Sequence, residues 1–300
     1  MPPAGALAAR TKLRFIGAVK VLKSIGAMRK WLDSTTGKIV LVPTMGALHR
    51  GHGALIEHAR KLAGSTGRVV VSIFVNPTQF GPKEDLSRYP RPFAADAALC
   101  RELGADAIFN PSPEVVYPAG FSTYIDEQFV SKGLCGASRP GHFRGVCTVV
   151  LKLFNVCRPD IAVFGLKDYQ QCNVVARMVR DLNVPVRLVF APTVRESDGL
   201  ALSSRNVYLS PEERAQASVL RRGLLAAQDA FRKGERSAAK LVELVKKAIA
   251  TSPIARIDYI AAVDGSSLAP VTKMKKGDTI ALAVFFGTTR LIDNIQMGRR

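Results

Sequence analysis

Ile39-Val40-Leu41-Val42, followed directly by Pro43-Thr44-Met45-Gly46-Ala47-Leu48-His49-Arg50-Gly51-His52, is the stretch from which the rest of the chain is read. Four consecutive apolar residues suit a short buried strand, and a Gly-containing turn then delivers two histidines to a helix start. A helix N-terminus has unpaired N–H groups and the positive end of the macrodipole, so it favours an anion such as phosphate. His49 and His52 are three apart, which puts both imidazoles on one face of the first turn. Gly51 is expected to leave room for a ligand to approach the backbone. The chemistry suggested is transfer at a nucleotide phosphate, with imidazoles stabilising charge on a leaving pyrophosphate. A strand-to-helix turn with two exposed histidines fits the same residues, so the rest of the chain must decide.

Outward from that stretch, short β-rich runs alternate with helical stretches, the signature of a parallel sheet covered by helices. Strands are expected at Ile39–Val42, Val69–Val75, Ala107–Asn110, Ile161–Phe164 and Val186–Phe190. Helices are expected at Gly53–Leu62, Pro92–Leu103, Val146–Cys157 and Tyr169–Leu182, and an amphipathic one at Val19–Leu32. This is an α/β fold, a Rossmann-like parallel sheet with helices on both faces, which binds ligands at the carboxyl ends of its strands. Past Pro192 the pattern changes. Ser210-Pro211-Glu212-Glu213 opens a helix with an N-cap Ser, Pro in the first position and acids in the first turn. Helices over about Pro211–Lys233 and Ser237–Ala250, then strands at Arg256–Val263 and Thr279–Phe286, predict a smaller C-terminal α+β domain. The expected division is 1–193 for nucleotide and substrate, and 194–300 as a lid.

Bulk properties narrow the class. Three hundred residues suit one large domain plus a smaller one. No apolar run approaches the roughly 20 residues that span a bilayer. Residues 1–32 hold seven Lys or Arg and no acid, a mild likeness to a transit peptide; the reading favoured is an ordinary cytoplasmic start. Five cysteines without paired spacing read as reduced thiols, not a disulfide framework or zinc site. The net charge of +19 raises nucleic-acid binding. The basic residues are scattered, however, without a dense run or interleaved aromatics, and the same charge attracts an anionic nucleotide or carboxylate.

Further motifs lie in order along the chain. They are Ser72-Ile73-Phe74-Val75-Asn76-Pro77-Thr78-Gln79-Phe80, Arg139-Pro140-Gly141-His142-Phe143-Arg144-Gly145, Phe164-Gly165-Leu166-Lys167-Asp168-Tyr169-Gln170-Gln171 and Asp198-Gly199-Leu200-Ala201-Leu202-Ser203-Ser204-Arg205-Asn206. With the histidine turn, these five co-linear segments resemble the pantothenate synthetase (pantoate–β-alanine ligase) family. The resemblance extends from about Ile39 to Gly287-Thr288-Thr289-Arg290-Leu291-Ile292-Asp293-Asn294.

That resemblance implies an ATP-dependent condensation of pantoate with β-alanine. A pantoate carboxylate attacks the α-phosphorus of ATP, and the β-alanine amine then attacks the acyl-adenylate and expels AMP. It implies Mg²⁺ with the ATP, and a homodimer. His49 and His52 would line the triphosphate, with an imidazole protonated near neutral pH as acid or charge stabiliser, His52 being the proton donor. Lys167 would neutralise phosphates, and Asp168 would hold the ribose or a neighbouring base. Met45, Gly46, Ala47, Leu48, Arg50, Gly51, Gly165, Leu166 and Leu202 complete the nucleotide set, with Val194 at the adenine. Ser203, Ser204 and Arg205 would wrap phosphate oxygens, the guanidinium bidentately. Gln79 and Gln171, neutral amides that donate and accept, suit the carboxylate and hydroxyls of pantoate. Asn76 would shape the same pocket, Arg139 and His142 would meet a substrate carboxylate or β-alanine, and Asp96 is the candidate acid for Mg²⁺. Two positions depart from the family: Arg50 stands where an acid is common and Leu166 where Glu is common. The middle residue of His-x-Gly-His is expected to point outward. Competing readings are a nucleotidyltransferase with another acceptor, and a basic nucleotide- or RNA-binding protein without catalysis.

Overall fold

A computed structural model describes residues 18–82 and 84–299; expectations about the order or targeting of residues 1–15 fall outside them. The described elements run β1 (Lys20–Leu22), α1 (Ile25–Asp33), β2 (Ile39–Thr44), α2 (Arg50–Ala63), β3 (Arg68–Ile73), α3 (Phe93–Glu102), β4 (Ala107–Phe109), α4 (Pro113–Val116), α5 (Cys135–Ser138) and α6 (His142–Cys157). After these come β5 (Ile161–Gly165), α7 (Tyr169–Asp181), β6 (Arg187–Ala191), α8 (Pro211–Ala217), α9 (Val219–Arg232), α10 (Ala238–Ile249), β7 (Ala255–Val263), β8 (Thr279–Phe286) and β9 (Thr289–Gln296).

Strands β1 to β6 form one parallel sheet in the order β1-β4-β3-β2-β5-β6. Its inner strands, β2 to β5, are buried on both faces, while the edge strands β1 and β6 are partly exposed. Leu41, Val70, Phe109 and Phe164 point into a core with α1, α6 and α7, whereas Val40, Val42, Val69, Val71 and Val163 point into a second core with α2. This explains the unbroken apolar runs in the sequence, since neither face has a solvent side. The chain builds outward from β2 in both directions, through β3 and β4 on one side and β5 and β6 on the other. The point of reversal lies between β2 and β5, and a crevice opens there at the carboxyl ends.

Three expectations are corrected. Val19–Leu32 is not one helix: Lys20–Leu22 pairs with β4, and the helix begins after Ser24, whose Oγ accepts the Ala27 N–H at 3.1 Å. That N-cap stops the helix from extending backwards. The helix expected over Pro211–Lys233 is two, offset at Ser218, whose carbonyl accepts from Arg221 and Arg222. Sequence reasoning missed β9, which pairs antiparallel with β8 across the two-residue turn Gly287–Thr288. Strands β7, β8 and β9 form their own sheet, with a separate hydrophobic core drawn from Leu200 to Met297 and including α9 and α10. Among the described residues, no helix is long and apolar enough to cross a membrane.

Candidate active site

The turn after β2 and the first turn of α2 are built as one unit. Gly46 takes φ +85°, and a Cβ there would meet Asp96 Oδ2 at 3.0 Å and Ile73 Cγ2 at 3.1 Å. Beneath the turn, buried Asp96 accepts the Ala47 N–H at 2.9 Å and the Leu48 N–H at 2.8 Å. Both its oxygens are thus committed to shaping the loop, and it does not line the central cleft. Among the described residues no cluster of three or more His, Cys, Asp or Glu is placed to hold a metal, so Asp96 stands as a single carboxylate beneath the turn.

The two histidines cap their own helix. His49 is the N-cap, its Nδ1 accepting the Gly51 N–H at 3.1 Å, and His52 Nδ1 accepts the His49 N–H at 3.3 Å. This is the reciprocal capping arrangement usually made by Ser/Thr and Glu/Gln, here made by two imidazoles. With each Nδ1 used as an acceptor, the neutral rings carry their protons on Nε2. The ring centroids lie 4.1 Å apart. Gly51 also makes room for His49: a Cβ there would come within 2.8 Å of the His49 ring.

Burial, reinforced by Lys167, lowers the pKa of His49 to about 4, and burial reinforced by His49 lowers that of His52 to about 3. In the free protein both are neutral at pH 7. They therefore present N–H donors, which corrects the expectation of an imidazolium acid. Both folded values lie below the unfolded value near 6.5, so the unfolded chain binds the extra protons first. Stability is then lost as pH falls below about 6.5, and the loss levels off only below the folded values. Titration of the imidazole Hε1 resonances should show three rings, those of His49, His52 and the likewise buried His142, that do not protonate between pH 7 and 5; midpoints near 6.5 for these rings would contradict the burial argument.

Opposite the histidines, a 3₁₀ turn at Leu166–Asp168 follows β5. Asn294 of β9 fixes it, donating to the carbonyls of Leu166 at 2.9 Å and Lys167 at 3.1 Å. Lys167 Nζ lies 3.6 Å from Asp168 Oδ1. Leu166 turns its side chain into the core behind the sheet, so the departure from Glu removes nothing from the cleft. Arg50 points outward and pairs with Glu196 Oε2 at 3.2 Å.

The third wall returns from the C-terminal side. Glu196 N–H donates to the Leu200 carbonyl at 2.8 Å and Leu202 N–H to the Val194 carbonyl at 3.0 Å, a tight reversal that carries Ser203–Arg205 back to the sheet. Ser203 Oγ caps the following 3₁₀ turn by accepting the Arg205 N–H at 3.2 Å. Arg205 is bidentate, though not to open space: its Nε and Nη2 donate to Asp85 at 3.0 and 2.9 Å. Only its Nη1 side and one Nη2 hydrogen remain for a ligand.

At the other end, Asn76 is fully engaged. Its Nδ2 donates to Gln79 Oε1 and to the Gly145 carbonyl, both at 3.1 Å, and its Oδ1 accepts from Tyr117 and Thr78. It holds Gln79, which in turn donates to Met45 Sδ at 3.2 Å. Gln171 faces the cleft; its neighbour Gln170 is spent on structure, bonding the backbone of Cys135, Val130 and Gly133. Arg139 is gripped by Glu84, and its Nη1 lies 3.1 Å from His142 Nε2. Gly145 packs α6 against the 76–79 turn: a Cβ there would meet the Thr78 carbonyl oxygen at 2.4 Å. Gly145→Ala should therefore cost about 1–3 kcal/mol by overpacking. By shifting the 76–79 turn at the cleft it should also raise a substrate KM; unchanged melting and KM would contradict this contact.

Met45, His49, Gly51, His52, Asn76, Gln79, Arg139, His142, Gly165, Lys167, Asp168, Gln171, Val194, Leu202, Ser203, Ser204 and Arg205 all line one cleft of about 210 Å³. It opens into a chamber of about 610 Å³ toward β7, β8 and β9. Of the expected nucleotide residues, Gly46, Ala47, Leu48, Arg50 and Leu166 do not line it: the first three form the turn that leads into α2, Arg50 points outward and Leu166 packs against the core. Sequence reasoning missed Glu84, Asp85 and Tyr89, which meet Arg139, Arg205 and Ser204 from one loop.

Comparison with known proteins agrees with this geometry. The family model described as pantoate-beta-alanine ligase matches residues 20–296. The pantothenate synthetase of Myxococcus xanthus is 52% identical over 287 residues, covering 94% of this chain and 97% of that protein. That of Pelotomaculum thermopropionicum is 51% identical, covering 93% and 99%. A pantothenate synthetase structure from Thermus thermophilus superposes with a TM-score of 0.88 at 47% identity, covering 93% and 99%. A pantoate-beta-alanine ligase structure from Francisella tularensis, complexed with beta-gamma ATP and beta-alanine, gives 0.75 at 33% identity, covering 93% and 98%. The chain with two self-capping histidines at the sheet's switch point belongs to the pantoate–β-alanine ligase family.

Proposed function

We propose that this protein condenses pantoate with β-alanine at the expense of ATP, through a pantoyl-adenylate. The observation that carries the reading is convergence. Two imidazole N–H donors, Lys167 and the Ser203–Arg205 segment line the same cleft as the Gln79 and Gln171 amides. The first set suits a triphosphate and the second a small polar carboxylate.

In the first step a pantoate carboxylate oxygen forms a bond to the α-phosphorus as the bond to the bridging oxygen of pyrophosphate breaks. His49 and His52 Nε2–H, Lys167 Nζ and Arg205 stabilise the charge that grows on the leaving pyrophosphate. Gln79 and Gln171 orient pantoate through its carboxylate and hydroxyls, so that the attack is in line. In the second step the neutral amine of β-alanine attacks the acyl carbon, AMP leaves, and the amine proton passes to solvent or phosphate. Arg139 meets the incoming carboxylate, and His142 holds that arginine in place, its Nε2 accepting from Arg139 Nη1 at 3.1 Å while its Nδ1–H donates to the Gln79 carbonyl at 2.8 Å. Mg²⁺ is proposed to arrive on the ATP oxygens with water as its other ligands, since the residues present form no cage for it.

The chain is further proposed to divide near Thr193 into a sheet domain and a lid, to act as a homodimer and to work in the cytoplasm. The buried free cysteines support a reducing compartment: burial pushes the Cys100, Cys147 and Cys157 thiols up to about 12. The test of the two-step order is a single-turnover experiment. ATP and pantoate alone should release a burst of pyrophosphate and leave AMP bound as acyl-adenylate, which β-alanine then converts to pantothenate. No burst without β-alanine would contradict the order.

A further inference from the structure

The loop between Phe80 and Pro90 carries two adjacent carboxylates, Glu84 and Asp85, and each takes one arginine of the cleft. Glu84 accepts from Arg139 through Nε at 2.8 Å and again through Nη2. Asp85 accepts from Arg205 through Nε at 3.0 Å and Nη2 at 2.9 Å. All four side chains are largely shielded, with Asp85 only 15% exposed and Arg139 17%. Burial alone would raise both carboxyls; hydrogen bonds from their arginines overcome it and hold each below its ordinary range.

Two anions beside a site for a triphosphate and a carboxylate oppose binding unless they do something else. The geometry shows what. A guanidinium has two bidentate edges, and in both arginines the carboxylate takes the Nε/Nη2 edge. Arg205 lines the cleft with its Nη1 side unpaired among the described residues, whereas Arg139 meets the Gln79 carbonyl through Nη2 at 3.3 Å and His142 Nε2 through Nη1 at 3.1 Å, which leaves one Nη1 hydrogen for a ligand. The loop is itself tied to the Ser203–Arg205 segment by Tyr89 OH to Ser204 Oγ at 3.2 Å, and by Tyr208 OH donating to the Arg88 carbonyl at 3.0 Å. The acids thus stand at fixed points between the sheet and the C-terminal segment.

We propose that Asp85 and Glu84 are positioning residues for the ligation: Asp85 aims Arg205 at the triphosphate in the adenylation step, and Glu84 aims Arg139 at a substrate carboxylate. The proposal rests on the adenylation reading above. An arginine without its carboxylate samples many rotamers and meets the phosphate off line, and misplacement on the scale of an ångström costs about 100-fold in rate.

The test separates the two half-reactions. Asp85→Asn keeps the size of the side chain but loses its charge and one acceptor. It should slow the pyrophosphate burst with ATP and pantoate by about 10- to 100-fold. The β-alanine-driven conversion of adenylate already formed should keep its wild-type rate. Asp85→Glu, which restores the charge, should recover most of the burst rate. Glu84→Gln should raise the KM for a carboxylate substrate and leave the KM for ATP unchanged. A wild-type burst rate in Asp85→Asn would overturn the role of Asp85. So would equal slowing of both half-reactions with a lowered melting temperature that Asp85→Glu fails to restore, because that pattern marks a residue that only holds the loop. Wild-type values of both KM terms in Glu84→Gln would remove Glu84 from the proposal. If the wild-type protein itself gave no burst, the adenylation reading would fall, and this proposal with it.

Discussion

Lys167→Ala is expected to lower kcat by about 100- to 1,000-fold, the usual cost of removing one preorganised donor from the site where charge develops. The lysine stands alone in its position: its ammonium faces the cleft across from the histidines, 3.6 Å from Asp168, on a 3₁₀ turn that β9 anchors by two backbone hydrogen bonds. Those bonds go to carbonyls, so they survive the substitution. The fold should therefore be kept, with a change in stability within about 0.5 kcal/mol. Steady-state kinetics with saturating ATP, pantoate and β-alanine, beside a thermal melt, gives both numbers. Near-wild-type kcat would remove Lys167 from the chemistry, and a collapse in Tm would mean that the lost rate reports unfolding.

His52→Ala should lose a comparable factor in rate but, unlike the lysine variant, should also destabilise the protein. His52 does two jobs with its two nitrogens. Nδ1 accepts the His49 N–H and closes the cap of α2, while Nε2–H faces the cleft. Loss of the cap costs about 0.5–2 kcal/mol, and loss of the donor about 100-fold or more in kcat. His52→Asn separates the two. An asparagine oxygen can stand where Nδ1 stands and accept the same N–H, but the side chain is too short to put a donor where Nε2–H is. Asparagine should thus regain much of the lost stability and none of the lost rate. Stability and rate recovered together would show that the histidine acts only through the helix start.

Much of this was legible because the sheet is buried on both faces. Runs such as Val69-Val70-Val71 have no polar alternation to hide them, so the inner strands and the α/β class follow from the order of apolar runs and helical stretches, whereas the exposed edge strand β1 does not stand out. The turn motifs at the ends of β2, β3 and β5 could be placed for the same reason. Two kinds of feature were not legible. Strand β9 carries Asp293 at a buried position, where Arg195 Nη1 and Nη2 hold it at 2.7 and 2.9 Å. In a sequence, Arg-Leu-Ile-Asp-Asn reads as loop, because the partner that makes the acid tolerable lies 98 residues away. The loop acids failed to stand out for a similar reason. Asp85 is 120 residues from Arg205, among neighbours as charged as itself, and no local period links the two. Protonation states were also beyond the sequence. The histidines look like ordinary titrating side chains until the fold buries them, with Lys167 beside His49 and His49 beside His52 adding to the same effect.

The central claim is ligation through an adenylate, and the most direct measurement is product stoichiometry. Purified protein with ATP, Mg²⁺, pantoate and β-alanine should form AMP, pyrophosphate and pantothenate in equal amounts, with turnover that stops when either organic substrate is left out. Release of ADP, or AMP formation that continues at the same rate without β-alanine, would contradict it.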